Sequence, residues 1–84
     1  MGKHDKTLQK LLSGTADANL DFEDLIALLM HKGFNVRRGK GSHVIATMTG
    51  VSERITLQPD GPKAKSYQVR QVRTVFLNHP ELLQ

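Results

Sequence analysis

The 84-residue chain has no cysteine. That excludes a disulfide, a thiolate metal site and a cysteine nucleophile. A small fold without disulfides suits a reducing compartment, so a cytoplasmic protein is expected. No apolar run approaches the roughly 20 residues of a membrane span. The lysine-bearing N-terminus has no long apolar stretch behind it, which argues against a signal peptide. Acid is scarce beyond the first third. Residues 31–73 carry nine lysines and arginines against Glu53 and Asp60, whereas residues 1–30 carry Lys3, Lys6 and Lys10 against five acids. A basic middle and C-terminal part suits a polyanion such as RNA or DNA, and equally a solvated surface or an acidic protein partner.

The length allows one domain. Leu8, Leu11 and Leu12 recur at helical spacing, predicting a first helix over roughly Asp5–Leu12 that ends at Ser13-Gly14. Residues 13–19 are small and polar and read as a connection. Asp21 is placed to cap a second helix. Leu20 and Leu25 have hydrophobic-staple spacing, and Phe22, Leu25, Ile26 and Leu29 form its apolar stripe. Gly33 stops it.

The period then changes to two. Phe34 and Val36 form one strand, and Arg38-Gly39-Lys40-Gly41 a basic turn. Val44, Ala46 and Met48 share one side of a second strand, with His43, Ile45 and Thr47 on the other. Ile55 and Leu57 mark a third. Short turns make an antiparallel meander the simplest pairing. Gln58–Lys65, with Pro59, Gly61 and Pro62, reads as a loop. Ser66 is placed to cap a last helix with Val69, Val72 and Phe76 on its buried stripe. The expected class is α+β, a three-stranded antiparallel sheet with helices on one face in the order α-β-β-β-α, plus an extra N-terminal helix.

Of the four histidines, His4, His31 and His79 read as surface residues. No two have the i, i+4 spacing of a helical metal site, so no metal and no other cofactor is expected. His43 follows a glycine-rich basic turn, where Gly39 and Gly41 allow close approach of the backbone to a phosphate. From the residues alone it is either a proton-transfer group or a turn histidine satisfied by a backbone carbonyl. Arg70 and Arg73, three apart on the last helix, either share a partner or form a solvated face. Tyr67 can stack on a base or pack at the helix start.

Asp21-Phe22, Leu28-Leu29, Lys32-Gly33-Phe34 and Arg37-Arg38-Gly39-Lys40-Gly41-Ser42-His43 follow one another in an order that resembles the HicA toxins of bacterial toxin–antitoxin pairs. Tyr67–Arg73 is similar to the family's last helix. The resemblance implies a HicA-like domain over 20–79; the helix and connection in 1–19 lie outside it, and 80–84 is read as a tail. It implies a fold like the double-stranded-RNA-binding domain, an mRNA-cleaving activity, His43 as the catalytic histidine, and a HicB-type antitoxin partner.

The sequence departs from the family's Pro-x-His stretch after the third strand. Leu57-Gln58-Pro59-Asp60 has no histidine there. RNA supplies its own nucleophile, the 2′-hydroxyl, so such a reaction needs no metal. His43 would act as the general base. Arg37, Arg38 and Lys40 would hold the phosphate, with Lys63, Lys65, Arg70 and Arg73 as further RNA-binding cations. Ser42 donates a hydrogen bond or shapes the turn. The acid for the leaving oxygen is open between His43 itself, Lys63 and Lys65. Two other readings stand beside this one: a non-catalytic RNA-binding module of the same fold, and a protein-interaction domain with a basic face.

Overall fold

The computed structural model describes residues 2–39, 41 and 43–83. Helix α1 spans Lys3–Ser13, slightly longer at both ends than its apolar spacing predicts. Asp5 reaches back to accept from the Gly2 N–H at 3.2 Å, closing the first turn. Gly14 ends the helix with φ 73°, a left-handed conformation that glycine adopts without a Cβ penalty. Leu11 is fully buried. A 3₁₀ turn at Asp17–Asn19 interrupts the stretch expected to be a plain connection.

That turn is fixed by a residue from the far end of the chain. Arg73 donates from Nη1 and Nη2 to the two Asp17 carboxylate oxygens at 2.8 and 3.1 Å, and from Nη1 to the Leu11 carbonyl at 3.1 Å. The hydrogen bond from Arg73 is the main cause holding the Asp17 carboxyl below its usual range. Both side chains are largely buried. Truncating Arg73 would leave Asp17 and the carbonyl without these donors. Arg73→Ala is expected to lower stability by about 2–3 kcal/mol in urea titrations; a loss below about 0.5 kcal/mol would contradict this bracing role.

Helix α2 spans Phe22–His31. Its buried side is wider than the expected stripe, because Leu28 is as fully buried as Leu25 and Leu29. The helix packs on α1 as well as on the sheet's covered side. Its end is a Schellman motif: the Gly33 N–H bonds to the Met30 carbonyl and the Phe34 N–H to the Leu29 carbonyl, both at 3.0 Å, with Gly33 at φ 102°. Asp21 does not cap this helix through its side chain. Its carboxylate instead accepts from Lys63 Nζ at 2.7 Å. An ammonium outcompetes a neutral N–H for a carboxylate.

Strands β1 (Asn35–Arg38), β2 (Val44–Met48) and β3 (Val51–Leu57) form an antiparallel sheet in chain order. Val36 pairs with Ala46, Ala46 with Ile55 and Val44 with Leu57, so these side chains share the covered face. Arg37 pairs with Ile45 and Ile45 with Thr56, which places them on the open face. Helix α3, Ser66–Asn78, lays Val69, Val72, Val75 and Phe76 on the covered side. Lys65 takes the cap position there, and Ser66, expected as the cap, is the first helical residue. The rings of Phe34 and Phe76 lie parallel with centroids 6.4 Å apart.

The segment read as a loop holds a short hairpin, β4 (Pro59–Asp60) with β5 (Lys63–Ala64). It docks on the entry to α2: the Ala64 N–H donates to the Leu20 carbonyl at 2.8 Å and the Phe22 N–H to the Pro62 carbonyl at 3.1 Å. Two-residue strands carry no periodicity, so only these distant backbone partners reveal them. The order α2-β1-β2-β3-α3, with α1 added, is the expected α+β arrangement and is compatible with a double-stranded-RNA-binding-domain-like fold. No helix among the described residues is long and apolar enough to cross a membrane.

After α3 a 3₁₀ turn at Pro80–Leu83 buries Leu82. His79 pins this turn, with Nε2 at 2.8 Å from Glu53 Oε1 and Nδ1 at 3.4 Å from Glu81 Oε1. The hydrogen bond with Glu53 leads in raising His79 above its ordinary 6.5. The same bond leads in lowering Glu53 from 4.5 to about 2. A raised histidine stabilises below its unfolded value and loses this as pH rises through the folded one. A lowered carboxyl stabilises above its unfolded value and loses this as pH falls toward the folded one. Both contributions are complete together between 4.5 and 6.5. The stability difference between wild type and His79→Gln, followed by urea titration, should peak in that window and shrink as pH rises through the raised His79 value. A difference that does not vary with pH would contradict the pairing.

Candidate functional site around His43

His43 stands exposed immediately before β2. Its carbonyl accepts from the Gly39 N–H at 2.9 Å and closes the turn from β1. Gly41, inside that turn, has φ 66° with open space around it. The backbone is therefore exposed where a phosphate could approach. Lys40 and Ser42, both expected at the site, lie outside the described residues.

One step beyond the last ladder pair, Val44 with Leu57, His43 meets Gln58. The His43 Nε2 contacts the Gln58 side-chain amide nitrogen. Gln58 is held from two further directions. Its backbone N–H donates to Gln68 Oε1 at 2.8 Å, and its Oε1 accepts from Lys65 Nζ at 3.0 Å. Gln68 is a buried polar side chain on α3, only 5% exposed, and its amide nitrogen is 3.4 Å from the Tyr67 hydroxyl. Three elements thus converge on one imidazole: the β1–β2 turn, the exit of β3 and the start of α3. Neither Gln58 nor Gln68 is singled out by the sequence. A signal for Gln68 does exist, since a polar residue beside Val69 and four before Val72 falls on the apolar stripe and needs a partner there.

The other expected cations divide sharply. Arg38 donates to Glu23 at 2.8 and 3.4 Å, Lys63 pairs with Asp21, and Arg73 with Asp17. The Lys63 hydrogen bond is the main cause holding Asp21 below its usual range. Arg37 and Arg38, adjacent in sequence, fall on opposite sides of the sheet, because Arg37 pairs with Ile45 and Arg38 with Val44. Arg70 is exposed on α3. It makes no direct ion pair with Asp17, which binds Arg73, but its charge adds to that of Arg73 in lowering the Asp17 carboxyl. Among the described residues, Arg37, Arg54 and Arg70 have no ion pair. Arg54, absent from the expected set, joins Arg37 and Thr56 on the open face by strand alternation. Tyr67 is 48% exposed, so it is only partly packed.

The exposed pairs, Arg38–Glu23 and Lys63–Asp21, contribute little stability, about 0–1 kcal/mol each. Their larger effect is to cancel charge locally. Among the described arginines, charge without an ion pair remains at Arg37, Arg54 and Arg70, not along the whole basic stretch. Among the described residues no group of histidines and carboxylates gathers that could hold a metal ion.

A family model described as the HicA toxin of bacterial toxin–antitoxin matches residues 22–79, more than half of the chain. The span includes His43, Gln58, Lys65 and Gln68. No curated protein and no solved structure gave a match.

Proposed function

The chain belongs to the HicA family and is the toxin of a bacterial toxin–antitoxin pair, and from that premise we propose that it is a cytoplasmic endoribonuclease that cleaves mRNA without a metal, with His43 as general base. The observation that carries this reading is the exposed imidazole set between a glycine turn and a lysine one amide away. His43 removes the proton of the 2′-hydroxyl beside the scissile phosphate. The 2′-oxygen bonds to phosphorus, the bond to the 5′-oxygen breaks, and that oxygen leaves with a proton. The products are a 2′,3′-cyclic phosphate and a 5′-hydroxyl. Proton transfer of this kind is worth about 10²- to 10⁴-fold.

Lys65 is placed to offset charge on the phosphate once RNA draws it from Gln58, and of the two lysines considered it is the better donor to the leaving oxygen. Lys63 is tied to Asp21 by an ion pair at 2.7 Å. Arg37 and Arg54 provide a track for the flanking phosphates on the open face. Lys40 and Ser42 of the turn complete the proposed RNA contacts, with Arg70 further along α3. The natural counterpart is a HicB-type antitoxin that covers these groups.

Purified protein should cut RNA in EDTA, and RNA with a 2′-deoxy substitution at the cleaved position should resist. Cleavage of the substituted RNA would rule out the internal nucleophile. One observation favours a second reading, a non-catalytic RNA-binding module: Gln58-Pro59-Asp60 lacks the downstream histidine of the family pattern. Salt-sensitive RNA binding with no cleavage under any condition would select that reading.

A further inference from the structure

Gln58 has only one amide orientation that satisfies its neighbours. A lysine ammonium donates and cannot accept, so the Gln58 oxygen must face Lys65 Nζ, at 3.0 Å. The amide –NH₂ then faces His43 Nε2. An amide nitrogen also only donates. His43 Nε2 must therefore be the unprotonated, accepting nitrogen, and the proton of the neutral ring sits on Nδ1. The backbone of Gln58 cannot drift to relieve this, because its N–H is anchored on the buried Gln68.

We propose that Gln58, oriented by Lys65 and anchored by Gln68, is a positioning residue that holds His43 in the Nδ1–H tautomer with its Nε2 lone pair facing the site. The amide is a placeholder. A ribose 2′-hydroxyl that displaces it presents its own proton to the same lone pair. Phosphate arriving with that ribose competes for Lys65 and so releases the amide as substrate binds. The tautomer itself does not depend on the ribonuclease reading; only its use as a base does.

The tautomer is directly measurable in the RNA-free protein from the imidazole ¹⁵N shifts and ring couplings of His43, at a pH where the ring is neutral. Wild type should show Nδ1 protonated and Nε2 bare. Gln58→Leu, which removes the donor while leaving the backbone bond to Gln68, should lose that preference. Lys65→Met, which frees the amide to turn over, should weaken it. Gln58→Glu supplies an acceptor and should move the proton to Nε2. In cleavage assays Gln58→Leu should lower kcat by about tenfold and change KM less, since a ring in the wrong tautomer cannot accept the proton. A wild-type ring protonated on Nε2, or an unchanged tautomer in both Gln58→Leu and Lys65→Met, would overturn the proposal. If the wild-type and variant tautomers behave as stated but RNA is not cut, the positioning role stands and the ribonuclease reading falls.

Discussion

His43→Ala should lower RNA cleavage by about 10²- to 10⁴-fold, with no larger stability change than about 0.5 kcal/mol. The two halves of this result come from the same fact. The side chain is exposed and outside the core cluster, so removing it opens no cavity. The turn itself is closed by the His43 carbonyl, which alanine keeps. Cleavage has no such backup in the proposed chemistry. Lys65 remains cationic and the open-face arginines still attract RNA, so binding should fall far less than turnover. Induced expression should then arrest growth for wild type and not for the variant. Cleavage within about threefold of wild type would remove His43 from the reaction.

Phe76→Ala should cost about 3–5 kcal/mol, the range for emptying a buried aromatic site. Phe76 is fully buried and lies parallel to Phe34, the residue that leads from α2 into β1. It therefore joins the last helix to the root of the sheet. Whole-chain stability at about 0.05–0.15 kcal/mol per residue amounts to about 4–13 kcal/mol. The substitution thus removes about a quarter of it at the least, and thermal unfolding should shift down by well over 10 °C. Function should fall with the fold, because α3 and its cap hold Gln58, the residue against His43, through Gln68 and Lys65. A loss below about 1 kcal/mol would show that this ring contact does not hold the helix to the sheet.

The elements that bury apolar side chains at a regular period were legible before the structure. Leu25, Ile26 and Leu29 gave the second helix, Val69, Val72 and Phe76 the third, and the alternation of Val44 and Ala46 the central strand. Gly33 was legible as a stop because its backbone geometry is local. What escaped was decided over long distances. Asp21 looks like a helix cap until Lys63, 42 residues away, takes its carboxylate. The segregation of acids before residue 31 and bases after it looks like a polyanion footprint. Much of it is internal pairing, with Asp17, Asp21 and Glu23 meeting Arg73, Lys63 and Arg38. Charges far apart in sequence attract in the fold, and composition cannot separate that from attraction to RNA.

The candidate site was half legible. His43 stood out through its glycine turn and its Gly-Ser-His context. The separation of Arg37 from Arg38 follows from strand alternation, which assigns neighbours to opposite faces. Gln58 carried no local signal: it sits between a strand and a proline, and its importance comes from standing across from His43 and beneath Lys65.

As proposed, His43 activates the RNA's own 2′-hydroxyl. The ends of the cleavage products test it most directly, read by mass spectrometry after limited digestion of a defined RNA by the wild-type protein. The upstream fragment should carry a 2′,3′-cyclic phosphate and the downstream one a 5′-hydroxyl. A free 3′-hydroxyl with a 5′-phosphate would contradict it, because those ends arise when water, and not the neighbouring ribose oxygen, attacks phosphorus.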